Sequence, residues 1–184
     1  KLFIRTMILG LDISTSIVGI TVLDTEGQLK VCESVDLRNK KLFTDLLSKA
    51  DEMSHQLNNL RNQYNIEHIF IEEPFMFFSS GKSTAKTMAV LQNFNGIISW
   101  LCFRVFGLKP QYVSASQARK ICGIKIPRGE NSKKVVLQFV LDNVKDFSVE
   151  YTKHGNPRPG EADRADSWVV AKAGYDICIA KNLK

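Results

Sequence analysis

The most constraining feature of the sequence is the stretch from Met7 to Asp24, where a single acid ends a run of apolar residues. The run delivers Asp12 into a Ser/Thr-rich turn, and a second apolar run from Val18 to Leu23 follows. Strand, polar turn and strand predict a β-hairpin. An unpaired buried carboxylate costs several kcal/mol. Asp12 therefore needs a partner, and we expect a divalent metal ion at the rim of the sheet.

Length and composition predict one globular domain. The chain has 184 residues, of which 44% are hydrophobic and 24% are charged, as is usual for a soluble domain. We predict a single domain over residues 7–184 and interpret residues 1–6 as a tag or a disordered N-terminus. No secretory signal is visible, and the longest apolar stretch, residues 97–108, is too short to span a bilayer. The four cysteines form no CxxC pair, which fits a reducing compartment.

Hydrophobic periodicity predicts an α/β fold. After the hairpin, alternation over 28–36 adds a third strand to an antiparallel meander, and 66–72 and 110–114 add two strands. Helical spacing is found at 40–64, 83–106, 115–121, 132–144 and 161–180, with a loop at 151–160. We expect helix 83–106 to be buried on more than one side. The result is a five-stranded mixed sheet, a three-stranded antiparallel meander plus two parallel strands, flanked by helices.

Acids recur at two further element ends. The strand at 66–72 ends in Glu72 and Glu73, and the last helix begins with Asp163 and Asp166, which are three apart and share a helix face. Acids in a first turn also favour the helix macrodipole, which would explain either aspartate alone. Clustered carboxylates need cations between them, and hard oxygen ligands favour Mg²⁺ or Mn²⁺. Two such ions suit phosphodiester displacement.

Three motifs carry a family resemblance. The stretches Ile8 to Asp12 (ILGLD), Ile71 to Phe75 (IEEPF) and Ala162 to Asp166 (ADRAD) resemble, in this order, the active-site motifs of RuvC-type Holliday-junction resolvases. These are nucleases of the ribonuclease-H-like superfamily, and the resemblance spans residues 7–180. It implies the ribonuclease-H-like fold and two Mg²⁺ ions, for which Mn²⁺ can substitute. The implied metal ligands and catalytic acids are Asp12, Glu72, Asp163 and Asp166.

The resemblance also implies the activity and its substrate. It indicates a Mg²⁺-dependent endonuclease that resolves four-way (Holliday) DNA junctions by two-metal hydrolysis, leaves 5′-phosphates and acts as a homodimer. Phe75 matches an aromatic residue that stacks on bases, and Lys133 matches a catalytic lysine near the scissile phosphate. Phe75 could instead pack in the core with its FMFF neighbours, and Lys133 could lie on a solvated helix end.

Charge supports a polyanionic partner. The net charge is +6, and it becomes +10 on the rest of the chain if four acids bind metal (6 plus 4). The candidate phosphate contacts lie in loops and helix starts: Lys82, Lys86, Arg119, Lys120, Lys125, Arg128, Lys133, Lys134, Lys153 and Arg158.

The sequence departs from the family pattern in two places. Ile13 and Ser14 stand where the family has Pro-Gly, although the side chains of Ser14 to Ser16 can hold the turn. Glu73 beside Glu72 points to the opposite strand face, and the family motif selects Glu72. We therefore expect a diverged member, phage-borne or organellar. It would be located in the cytoplasm of a bacterium or phage-infected cell, or in an organellar matrix, and would not be secreted.

Other readings remain open. Helix 83–106 is the natural dimer interface, but a core helix explains the same pattern. Another ribonuclease-H-like nuclease could cut flapped or branched DNA or RNA–DNA hybrids. The stretch Leu9 to Thr15 also resembles the first phosphate-binding hairpin of actin-like sugar kinases, which bind ATP and are usually far longer. An inactive DNA-binding relative is disfavoured by the complete set of four acids.

Overall fold

The structure is a computed structural model that describes residues 7–74 and 85–178. Five strands and five helices follow one another within these ranges. They are β1 (Met7–Ile13), β2 (Ile17–Asp24), β3 (Leu29–Asp36), α1 (Leu46–Gln63), β4 (Ile66–Glu72), α2 (Ala85–Phe106), β5 (Gln111–Val113), α3 (Ala115–Ile121), α4 (Ser132–Asn143) and α5 (Glu161–Cys178). The expectation for residues 1–6 lies outside the described residues.

The strands form one mixed sheet in the order β3-β2-β1-β4-β5. The β1–β2 and β2–β3 pairs are antiparallel, whereas the β1–β4 and β4–β5 pairs are parallel. This confirms the predicted meander plus two parallel strands. Because β1 and β4 run in the same direction, their carboxyl ends meet at one edge of the sheet. Asp12 and Glu72 lie at that edge.

Each face of the sheet is covered by helices. Alternate residues of β1, Leu9 and Leu11 among them, pack with α1 and α2 in one hydrophobic core. Ile8 belongs to the second core, which α3, α4 and α5 complete on the opposite face. Side chains alternate between faces along a strand. Asp12 therefore projects to the α5 side, as Ile8 does.

Helix α5 lies unusually close to the central strands because two glycines face it. A Cβ at Gly10 would lie 2.5 Å from the backbone nitrogen of Ala171, and one at Gly19 only 2.0 Å from the carbonyl oxygen of Asp163. Any larger residue would force the helix away from the sheet. Since Gly19 pairs with Asp12 across the β1–β2 ladder, the first turn of α5 is held directly beside Asp12.

Two predicted helices differ from the structure. Helix α1 begins at Leu46 and not at residue 40, because Asp45 caps it by accepting the Ser48 N–H at 2.8 Å. Helix α2 is not buried on more than one side. It packs through one face, whereas the side chains of Trp100 and Phe103 are 59% and 45% exposed on another. Periodicity could not separate a core helix from one with an uncovered apolar face.

The predicted loop at 151–160 contains a small hairpin. The Thr152 N–H donates to the Asn156 carbonyl at 2.8 Å, and the Arg158 N–H donates to the Glu150 carbonyl at 2.8 Å. In the described part of the chain, no helix combines the length and apolar character that crossing a membrane requires.

Candidate active site

The turn after Asp12 is held by the side chain of Ser14. The Ser14 hydroxyl accepts the N–H groups of Ser16 at 3.2 Å and Ile17 at 3.0 Å, and it donates to the Ile17 carbonyl at 2.7 Å. The Lys49 ammonium of α1 donates to the Thr15 carbonyl. The expectation that side-chain hydrogen bonds hold this turn is therefore confirmed.

Strand parity separates the two glutamates at the end of β4. Phe70 faces α5, since a Cβ at Gly174 would lie 2.3 Å from its ring. Glu72 is two residues further along and so faces the same side. Glu73 follows the strand with an exposed side chain, and its N–H donates to the Val113 carbonyl at 2.9 Å. Glu72 is the glutamate that shares a sheet face with Asp12.

The first turn of α5 adds two aspartates and meets a lysine of α4. Lys133 Nζ lies 2.9 Å from Asp163 Oδ1 and 3.9 Å from Asp166 Oδ2. The aspartate side chains are only 13% and 18% exposed, whereas Lys133 is 59% exposed. The lysine therefore bridges the buried aspartates from the solvent side.

The pKa values show that these groups share one electrostatic environment. Burial raises the pKa of Asp12 well above its usual range, and the charges of Glu72, Asp166 and Asp163 raise it further. Burial and then Asp166 raise the pKa of Glu72 to about 7. Burial raises the pKa of Asp166 to about 6, although Lys133 opposes the shift. Asp163 counteracts the effect of burial on Lys133, whose pKa is raised.

The donor chemistry fits a hard divalent cation, but the spacing is not that of an assembled metal site. Carboxylate oxygens are the ligands that Mg²⁺ and Mn²⁺ prefer, and the raised pKa values of Asp12, Glu72 and Asp166 show that a cation would relieve repulsion there. Among the described residues, no three His, Cys, Asp or Glu side chains are close enough to hold one ion. The cation that contacts these acids in the structure is the Lys133 ammonium, which pairs with Asp163 and Asp166.

Arg119 is the other predicted cation that acts on the acids, because its charge lowers the pKa values of Glu72 and Asp166. It borders a hollow of about 260 Å³ with Lys120 and Lys125. Arg158 forms an exposed ion pair with Glu150 at 2.9 Å. The remaining described candidates are exposed: Lys86, Arg128, Lys134 and Lys153. Phe75 and Lys82 lie outside the described residues.

Sequence reasoning missed one cation near the site. Arg38 follows β3 and makes two hydrogen bonds to the carboxylate of Asp36, at 2.8 and 2.6 Å. The charge of Asp163 also contributes to its raised pKa, after Asp36 and against a small effect of burial. Nothing in the local pattern singles Arg38 out, since it reaches the site only through the pairing of β3 with β2.

Comparison with known proteins agrees with this architecture. No family model matches the sequence, and neither does any curated protein. Among solved structures, the chain is similar to Thermus thermophilus RuvC in complex with a Holliday junction substrate, with a TM-score of 0.64, 14% identity and 94% of each chain covered. A second Thermus thermophilus RuvC structure gives a TM-score of 0.63 at 16% identity, over 95% of this chain and 96% of that one.

A eukaryotic protein shows the same likeness. The yeast mitochondrial Holliday junction resolvase matches with a TM-score of 0.59 and 14% identity, over 91% of this chain and 77% of its own. At such identities the likeness establishes the fold. The protein therefore has the ribonuclease-H-like fold of the RuvC-type resolvases.

Proposed function

We propose that this protein is a Mg²⁺-dependent endonuclease that resolves four-way DNA junctions. The observation that carries the proposal is that acids from β1, β4 and the first turn of α5 lie at one sheet edge, where Glu72, Asp163 and Asp166 all raise the pKa of Asp12. Burying several mutually repelling carboxylates is unfavourable for folding alone, so the arrangement needs a functional reason. The likeness to RuvC in complex with a Holliday junction substrate supports the choice of substrate.

In this proposal Asp12, Glu72, Asp163 and Asp166 hold two Mg²⁺ ions, and Mn²⁺ can replace them. The ions, when bound, supply activation of water for in-line attack and stabilisation of the departing oxygen, with a 5′-phosphate as product. The protein's part is to keep four carboxylates ionised and fixed. At a pKa of about 7, Glu72 is only partly ionised at neutral pH, so a nearby cation favours its charged form.

In this proposal, Lys133 and the cations around the acids bind the phosphates of the DNA. The exposed ammonium of Lys133 is bound to Asp163 and is close enough to the acids to neutralise charge that develops on the scissile phosphate. The hollow beside Arg119, Lys120 and Lys125 has no acid among the described residues that line it, and it suits a phosphate of the backbone. We propose further DNA contacts for the other predicted residues: Phe75 by base stacking, and Lys82, Lys86, Arg128, Lys134 and Arg158 by charge.

A four-way junction requires two cuts in opposed strands, so we propose that the protein acts as a homodimer. The outer face of α2, with Trp100 and Phe103 exposed, supports this because apolar side chains on a surface mark interaction sites.

The deciding experiment compares Asp12→Asn with the control Glu73→Gln. Glu73 is at the same sheet edge, but its side chain points away from the other acids. Each protein is incubated with a four-way junction, a flap, a duplex and an RNA–DNA hybrid, with and without Mg²⁺. We expect Mg²⁺-dependent cutting of the junction, a loss of at least about 100-fold in Asp12→Asn with junction binding retained, and wild-type cutting by Glu73→Gln.

The other outcomes each contradict a stated part of the proposal. Wild-type cutting by Asp12→Asn would show that the site is wrong. Preference for the flap or the hybrid would support the nuclease activity but contradict the four-way junction as its substrate. Magnesium-dependent ATP turnover without cutting would favour the kinase-like reading.

A further inference from the structure

Arg164 stands between the two aspartates of α5 in the sequence, yet its side chain leaves the helix on another face. Successive helical residues are about 100° apart, so Arg164 points away from the face that Asp163 and Asp166 share. Its Nε donates to the Cys32 carbonyl of β3 at 2.8 Å, and its Nη1 donates to the Ser148 carbonyl at 3.1 Å. The same side chain therefore joins α5 to two other parts of the chain.

Two further contacts complete the arrangement. Arg164 Nη1 lies 2.6 Å from Glu161 Oε2, with the two side chains only 19% and 8% exposed. The guanidinium carbon lies 4.9 Å from the centre of the Phe147 ring. A largely covered guanidinium with this many partners has few alternative positions, because leaving them would strand the buried carboxylate of Glu161. Arg164 is therefore a rigid connection and not a surface charge.

The position of this connection matters because α5 carries the acids in its first two turns. The close approach of Gly19 to Asp163 fixes the distance of the first turn from β2, and further along the hydrogen bond of 2.8 Å between the Thr21 and Ser167 hydroxyls holds the helix on the sheet. Before Glu161 the chain passes through the mostly exposed residues 150–159. The contacts of Arg164 add a side-chain connection from the first turn to β3 and to the segment after α4.

We infer that Arg164 is a positioning residue for the candidate metal site. It holds the first turn of α5 so that Asp163 and Asp166 stay beside Asp12 and Glu72, whose charges they already influence. Its contacts are all with protein groups of β3, the segment after α4 and α5 itself. The inference rests on the metal site of the proposed function but not on its nuclease activity, because metal uptake can be measured without any DNA.

The chain contains a matched control on the same helix. Lys172 pairs with Asp176 at a spacing of four residues and lies 4.9 Å from the centre of the Tyr175 ring. This pair has the same ingredients as Arg164, namely a cation, a carboxylate and a ring, but it lies more than one helical turn beyond the acids. A variant at Lys172 therefore reports what general stabilisation of α5 contributes.

The test compares wild type with Arg164→Met, Arg164→Lys and Lys172→Met. Free Mn²⁺ is counted by electron paramagnetic resonance during titration, unfolding is followed by circular dichroism, and kcat and KM are measured on the junction. We expect Arg164→Met to weaken Mn²⁺ binding by about 10–100-fold and to lower kcat by at least about 10-fold, with KM for DNA changed little. Arg164→Lys, which cannot keep all the contacts, should fall between. Lys172→Met should bind Mn²⁺ as the wild type does.

Each result has one meaning. Wild-type Mn²⁺ affinity in Arg164→Met, or in Arg164→Lys if the methionine variant does not fold, would overturn the inference. An equal loss in Lys172→Met would also overturn it, since general stability would then be the cause. Arginine-dependent Mn²⁺ binding without cutting of any nucleic acid would leave the inference standing and remove the proposed function. A wild type that binds no Mn²⁺ would overturn both.

Discussion

At the scale of single residues, burial and mutual repulsion determine the properties of the candidate acids. The pKa of Glu72 is raised from 4.5 to about 7, and each pKa unit corresponds to about 1.4 kcal/mol. Keeping Glu72 ionised in the metal-free protein thus costs on the order of 3 kcal/mol. Such a cost is usual where a site is built to bind a cation and not to maximise stability.

The metal-free protein should become more stable as pH falls. Because the pKa of Glu72 is higher in the folded than in the unfolded state, the folded state binds more protons between the two values. Stability then rises as pH falls from about 8 to about 5. Glu72→Gln removes the charge, so we expect a higher Tm than wild type at about pH 8 in EDTA and little difference at about pH 5.

Thermal unfolding in EDTA at several pH values measures this effect. Glu73→Gln is the matched control, because its exposed side chain should leave Tm unchanged. A Glu72→Gln protein that is less stable than wild type at high pH would show that the environment of Glu72 does not disfavour its charge.

At the scale of elements, the close contact of α5 with β1 and β2 places the aspartates. Gly19 lies opposite Asp12 in the ladder and beneath the carbonyl of Asp163. The small residue Gly19 in β2 thus determines the distance between the sheet and α5, a helix that begins more than a hundred residues later in the sequence. The acids of β1 and α5 are neighbours because of this contact.

Gly19→Ala should separate these two elements. Its Cβ would lie 2.0 Å from the Asp163 carbonyl oxygen, so α5 must shift, at a cost of about 1–3 kcal/mol. We expect a lower free energy of unfolding in urea and a loss of junction cutting, because Asp163 moves relative to Asp12.

Gly96→Ala is the control for this prediction. Gly96 lies in α2, where an added Cβ would meet no atom of the described chain within 4 Å outside its own stretch of helix. Alanine also favours a helix over glycine by up to about 1 kcal/mol. This variant should be slightly more stable, and it serves as the control for the free energy of unfolding only, because Gly96 borders the same groove as Trp100. Full cutting activity in Gly19→Ala would show that the distance between α5 and β2 does not determine the activity of the site.

At the scale of the whole molecule, the two sides of the sheet have different surfaces. The α5 side carries the acids, whereas the α2 side presents an uncovered apolar surface. Trp100 and Leu47 border the same groove, and their side chains are 59% and 73% exposed. Phe103 follows Trp100 by three residues on α2, so it shares that side of the helix.

We expect this surface to join two copies of the chain. Sedimentation equilibrium, with and without junction DNA, should give a dimer for wild type and a monomer for Trp100→Ser, because the substitution removes a large apolar contact. Tyr151→Ser is the control, since Tyr151 is 51% exposed on the hairpin and lies on another element. A wild type that stays monomeric under both conditions would exclude this interface.

Local sequence patterns determined the order of strands and helices and the candidate acids. Alternation and helical spacing report only the neighbours of a residue along the chain. They were sufficient for the meander, the two further strands, and the acids at the ends of β1 and β4 and at the start of α5. Family resemblance then supplied the grouping of the four acids. The start of α1 was misjudged because an apolar pattern extends to both sides of the residue that caps the helix.

Tertiary structure decided what depends on contacts between distant residues. The uncovered face of α2, the closeness of α5 above Gly19, and the contacts of Arg164 and Arg38 all join segments far apart in sequence. Periodicity cannot reveal them, because a buried arginine and an exposed one look alike along the chain. The sequence alone determined which acids are available. The packing of α5 on β1 and β2 decided that these acids lie close enough to raise one another's pKa values.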